Sequence, residues 1–171
     1  MIMNPRLRKF ALTMHVTSSV GLLGSIAAFL ALAIVAITNP DDEALRAAYF
    51  AMNVIARVVI VPLAFAGLIT GLIQSLGTTW GLFQHYWVLF KLVITMFATT
   101  ILLVKITLIA EAARLAVQTP LLRADLSAIG PQLVFHAGAG LLVLFLPMIL
   151  SIYKPQGRTP YGWRKQQARS V

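Results

Sequence analysis

The sequence predicts an all-α integral membrane protein, an antiparallel four-helix bundle. Three observations predict it. Four long apolar runs, each bracketed by charge, proline or tryptophan, take up most of the 171 residues. Hydrophobic residues make up 59% and charged residues 11%, against roughly 45–50% and about 25% in soluble domains; mean hydropathy is +0.85. The charges are also sorted. Arg6, Arg8 and Lys9 precede the first run, Lys154, Arg158, Arg164, Lys165 and Arg169 follow the last, and Asp41, Asp42 and Glu43 share the first connector. Since Lys and Arg mark cytoplasmic flanks, both termini are expected in the cytoplasm, which requires an even number of crossings.

The first span is expected over residues 10–38, stopped by Asn39-Pro40, with Ser18, Gly21 and Ser25 as a small-residue face for close packing. It is too long for the ~7–15-residue apolar core of a signal peptide and reads as a retained helix. The second is expected over 47–76, its helix capped near Asp42 and bent at Pro62, which lacks a backbone donor. It carries the small-xxx-small pattern Gly67-Leu-Ile-Thr-Gly71. A Gly- and aromatic-rich turn from Gly77 to Trp87 fits the interfacial aromatic belt. The third span is expected over 87–110, followed by a polar connector through Thr119-Pro120. Gly130-Pro131 then opens the fourth, 131–153, kinked at Pro147. The basic tail, 154–171, shows no core-forming pattern and is expected in the cytoplasm.

All of this is one domain, because four spans of about 20 residues or more leave no room for a soluble module. Cysteine is absent, which excludes disulfides, thiolate metal sites and covalent c-type haem. The net charge of +9 is accounted for by a lipid bilayer with anionic headgroups and needs no nucleic acid.

Ionisable residues inside the runs are the candidate functional groups, because each costs roughly 2.5–3.5 kcal/mol at a helix centre unless paired or hydrated. His15 lies five residues past Phe10 and Lys91 four past Trp87, about 6–8 Å into the same leaflet at 1.5 Å per residue. His136 falls in the opposite leaflet, so the two histidines cannot ligate one iron from two sides. Imidazole is a common haem and metal ligand. A core imidazole bonded to a backbone carbonyl is the alternative for His15, and a lysine snorkelling to the headgroups the alternative for Lys91. Arg57 either marks the outer interface or, with Asn53 four residues earlier, lines a second polar pocket with His136. Met14 and Met96 read as packing residues, and His85 belongs to the aromatic belt.

The segment Trp80-Gly-Leu-Phe-Gln-His-Tyr-Trp-Val-Leu-Phe-Lys91-Leu-Val-Ile-Thr, with Leu12-Thr-Met-His15-Val-Thr-Ser-Ser-Val-Gly21, resembles an uncharacterised bacterial four-helix integral membrane family. More distantly it is similar to the HemJ-type protoporphyrinogen oxidases and the copper-resistance D family. The oxidases pair a first-helix histidine with a third-helix lysine, and His15 and Lys91 match those positions; Ile101-Leu102 stand where the oxidases carry a Tyr-His pair. The resemblance implies a multi-pass protein of the bacterial cytoplasmic (inner) membrane. It implies further that the protein is expected to bind haem b or a related redox cofactor in the cytoplasmic leaflet, with His15 as metal ligand and Lys91 as second ligand or counter-charge, for electron transfer or tetrapyrrole oxidation. Two other functions stay open: a non-catalytic accessory or assembly subunit of a larger complex or homo-oligomer, docking through Gly67/Gly71 or Gly138/Gly140, and a copper or small-solute transporter.

Overall fold

A computed structural model describes residues 3–77, 81–118, 123–155 and 157–167. Part of the Gly77–Trp87 turn (78–80), the connector segment 119–122 that includes Thr119-Pro120, and the last tail residues with Arg169 lie outside it.

Four long apolar helices form the molecule. Helix α1 (Pro5–Thr38) starts on Asn4, whose side chain accepts from the Arg6 amide, with Pro5 as the first helical residue. The second span is α2 (Asp42–Ile55), a π-helical turn (Ala56–Ile60) and α3 (Val61–Gly77) in unbroken succession. Its cap is Asp41 rather than Asp42: the Asp41 carboxylate accepts from the amides of Glu43 and Ala44. Pro62 does disturb this helix, in a particular way. Lacking an N–H, it cannot join the regular ladder, and just before it the bonding slips to a wider turn in which the Val61 amide donates to the Ala56 carbonyl.

Helix α4 (Tyr86–Val117) and helix α5 (Arg123–Tyr153) make the other two spans. The fourth helix begins well before Gly130-Pro131, so Pro131 is interior to it, and the third runs on past Ala110. Both additions come from the stretch expected as connector. Each of the four helices is therefore longer than the ~20 residues that cross ~30 Å of hydrocarbon.

Helix α1 packs closely against α2, α3 and α5, and α4 against α2, α3 and α5, while among the described residues α1 and α4, like the second span and α5, make no close main-chain approach. That is a square antiparallel bundle with α1 diagonal to α4. Its outer surface is apolar along its length: Val20, Val58, Phe97, Val104, Phe135 and Leu142 are 62–72% exposed. An apolar surface of that extent is covered by lipid in a bilayer.

The two halves of the bundle are built differently. In the half towards the interhelical connectors the core is closed, with Phe29, Tyr49, Met52, Ile109, Leu115 and Leu133 buried together. Polar ties lock that end. Arg46 donates to the carbonyls of Ala116 (2.7 Å) and Gln118 (3.1 Å), capping α4 from α2, and Arg123 reaches both the Pro40 carbonyl and the Asp42 carboxylate. Gly130 lets α5 approach, since a Cβ there would meet Ile37 Cγ2 at 2.5 Å and the Tyr49 hydroxyl at 3.0 Å. In the half that carries both chain ends, the helices splay around a cavity.

The tail is more ordered than its composition suggests. After Tyr153 the chain turns at Lys154, whose φ of 43° is left-handed, and runs antiparallel to residues before α4. The Tyr86 amide donates to the Gly157 carbonyl (3.3 Å) and the Thr159 amide to the Gln84 carbonyl (3.0 Å). It then forms a short helix α6 (Pro160–Gln167). Among the described residues this single bridge is the only extended pairing.

Candidate functional site

The cavity measures about 630 Å³ and is lined by residues of all four spans, all in the terminus-bearing half. That volume suits an organic ligand of cofactor size. Leu12, Leu22, Ala64, Leu68 and Leu144 supply apolar walls; His15, Lys91, Thr95, Ser151, Arg8 and Lys154 supply polar ones. Among the described residues three cations, Arg8, Lys91 and Lys154, and no carboxylate line it.

His15 enters from α1 and is fixed by α3. Its Nδ1 lies 3.2 Å from the Gly67 carbonyl oxygen and 3.1 Å from Thr70 Oγ1. A carbonyl only accepts, so Nδ1 carries the hydrogen. The Thr70 hydroxyl spends its own proton on the Ala66 carbonyl at 2.6 Å and is free to accept from the imidazole. Gly71 makes room for the ring, because a Cβ at that position would approach His15 Cε1 to 3.2 Å. The tautomer this sets leaves Nε2 with its lone pair and, among the described residues, no hydrogen-bond partner. An imidazole whose Nδ1–H is held by a carbonyl while Nε2 is open has the form of a metal-ligating histidine.

Lys91 reaches the cavity from α4, diagonally opposite. Its ammonium donates to Ser151 Oγ of α5 (2.5 Å), whose hydroxyl donates in turn to the Pro147 carbonyl (2.8 Å). The same nitrogen lies 5.3 Å from the centre of the Trp87 ring, within cation–π range. The side chain thus lines the cavity with its ammonium at the level of Ser151, two residues from the end of α5. Gln74 closes the wall between α3 and α1 by donating to the Ala11 carbonyl at 3.1 Å.

His15 and Lys91 are therefore brought to one cavity. The second candidate group is not assembled. Arg57 does donate to Asn53 Oδ1 at 3.0 Å, one turn apart on the second span. His136 stays on α5, diagonal to that span, with Nδ1 bonded to the Gln132 carbonyl of its own helix at 2.6 Å. Arg57 is exposed within the π-turn. Lys105 of α4, which the sequence reading passed over, lies in the same connector half. Met14 and Met96 face outward, 42% and 54% exposed, whereas Met148, also passed over, lines the cavity. Residues that hold the site without chemical character of their own, Thr70, Gly71 and Ser151, had one legible signal. Gly67-Leu-Ile-Thr-Gly71 reads as a helix-packing motif, and what its Gly71 accommodates is the imidazole.

Neither a family model, nor a curated protein, nor a solved structure matches this chain significantly. The chemistry of the cavity has to carry the functional reading.

Proposed function

We propose that this protein binds haem b or a closely related tetrapyrrole in the terminus-side cavity, where His15 Nε2 would supply the protein's ligand to the iron. The carrying observation is the imidazole held at Nδ1 by Gly67 and Thr70 with Nε2 open to a cavity of cofactor size. A bare metal ion is a poorer fit: among the described residues no three His, Cys, Asp or Glu side chains cluster, whereas a porphyrin brings four ring nitrogens and asks one ligand of the protein. The cationic lining provides counter-charge for carboxylates on such a ring, with Lys91 held in place by Ser151 and with Arg8 and Lys154 nearer the helix ends. His15 and Lys91 are also the two positions that match the HemJ-type oxidases. When bound, haem supplies a one-electron redox centre, for electron transfer or tetrapyrrole oxidation. The protein's own part is to fix the ligand tautomer, exclude water with leucine walls and neutralise the acidic edge.

In this reading the terminus-bearing end faces the cytoplasm across a bacterial inner membrane, where Lys- and Arg-rich flanks are retained and meet anionic headgroups. The closed core of the connector half favours a binding site over a transport path for copper or solutes. A subunit role keeps one observation of its own: on α5 a Cβ at Gly138 or Gly140 would meet nothing within 4 Å, leaving a small-residue face for a partner helix or a second copy.

Titration of haem b into the detergent-purified chain tests the reading. A Soret shift saturating at one haem per chain is expected, with the His15→Ala variant losing it. No saturable shift, together with co-purifying membrane subunits, would favour the accessory role.

A further inference from the structure

None of the five Asp and Glu residues belongs to the terminus-bearing end. Asp41, Asp42 and Glu43 lie on the α1–α2 turn and first turn of α2, Glu111 near the end of α4 and Asp125 near the start of α5. Arg6, Arg8, Lys9, Lys154, Arg158, Arg164 and Lys165 lie at the opposite end, seven cations without a carboxylate, whereas the five acidic residues are offset at the connector end by Arg46, Arg57, Lys105, Arg114 and Arg123.

The strap from Lys154 to Gln167 is built into the cationic end. Thr159 is buried; its hydroxyl oxygen accepts from the Gly162 amide at 3.1 Å, and the hydroxyl donates to the Phe83 carbonyl at 2.5 Å. Gly162 presses against the main chain of Gln84 so closely that a Cβ would stand 2.4 Å from its carbonyl oxygen. With that face of α6 committed, the other is left bare. Tyr161 and Trp163 are 53% and 56% exposed, and so are Phe83 of the loop it docks on and Tyr86 at the start of α4, at 57% and 56%. The Arg158 guanidinium lies 5.7 Å from the Trp163 ring centre and the Lys165 ammonium 5.8 Å from that of Tyr161. Aromatic rings paired with cations on the open side of a docked helix are the composition of an interfacial element, rings among glycerol and upper acyl groups and cations at phosphate level.

We propose that α6 is a headgroup-binding element that lies in the membrane interface, with Tyr161 and Trp163 inserted and Arg158, Arg164 and Lys165 holding anionic phospholipid phosphates. The strap that carries it leaves α5 at Lys154, on the cavity wall, and is stitched to the residues leading into Trp87 and Lys91, so the lipid surface braces the mouth of the cavity. This rests on the orientation given above and not on the tetrapyrrole: protein free of any tetrapyrrole serves for the test, so the two readings can fail separately.

The native chain has no cysteine, so Gln167→Cys gives a single labelling site for an environment-sensitive fluorophore. The full-length labelled protein is placed in nanodiscs of phosphatidylcholine alone or of phosphatidylcholine with phosphatidylglycerol, each containing lipid spin-labelled near the headgroup. Stronger quenching is expected with phosphatidylglycerol. The difference should vanish in high salt, which screens surface charge, and in an Arg158→Gln/Arg164→Gln/Lys165→Gln variant. Equal quenching in both lipids, or quenching in neither, overturns the proposal, as does a lipid difference that survives in the triple variant. Protection of the label by duplex oligonucleotide with no lipid dependence assigns the basic face to nucleic acid and overturns it too.

Discussion

At the scale of single residues, what separates His15 from an ordinary core histidine is how it is held. Two acceptors on α3 converge on Nδ1, and Gly71 leaves the ring its space. Outer partners of this kind are worth about 10–100-fold in metal affinity. Thr70→Val should therefore weaken haem binding by about that factor with the helix content unchanged, as read by titration and circular dichroism; His15→Ala should abolish it. Gly71→Ala should act as Thr70→Val does, by tilting the ring off its acceptors. A full-affinity Gly71→Ala protein would show that the ring's position is immaterial. Lys91 carries a different expectation. Lys91→Met, which removes the charge but keeps the length, should leave the spectrum of bound haem unchanged while lowering affinity for a dicarboxylate porphyrin more than for its esterified form.

Among the elements, the connector end and the terminal end answer to different physics. Arg46 supplies donors to two carbonyls at the end of α4 that have no partner within the helix. Arg46→Ala should cost about 1–3 kcal/mol by leaving them unmet, read as a lower midpoint of denaturation in detergent with the cavity's ligand affinity preserved. Gly162→Ala acts on the other end. The clash with the Gln84 carbonyl cannot be relieved by a rotamer because both partners are main chain, so α6 should lift. Faster amide exchange at Tyr86 and Thr159 is the expected readout, with the exchange of buried Met52 unchanged; unaltered exchange at those two amides would mean the strap is not held by this contact.

For the whole molecule, the sequence carried the apolar surroundings and the four long helices, because apolar length is a one-dimensional signal. Their ends were less legible. Residues 111–117 and 123–130 are polar enough to read as connector, yet continue α4 and α5 because the packed half of the bundle extends past the stretch that needs lipid. The His15–Lys91 pairing was visible as equal depth, which counts rise per residue, whereas His136 could be placed at a height but not on a side of the bundle. The diagonal arrangement of spans settles that, and it is a property of the closed square rather than of any segment. Thr70 and Ser151 were hidden because hydroxyl residues in apolar helices also serve simply to bond their own main chain, as Ser18 and Ser25 do here.

The most direct measurement is the visible spectrum of the protein as isolated from membranes, unmodified and as His15→Ala and His136→Ala variants. A Soret band in the unmodified protein and in His136→Ala, absent from His15→Ala, is the predicted result. A band of equal height in all three, or in none, contradicts the assignment of the terminus-side cavity as a haem site.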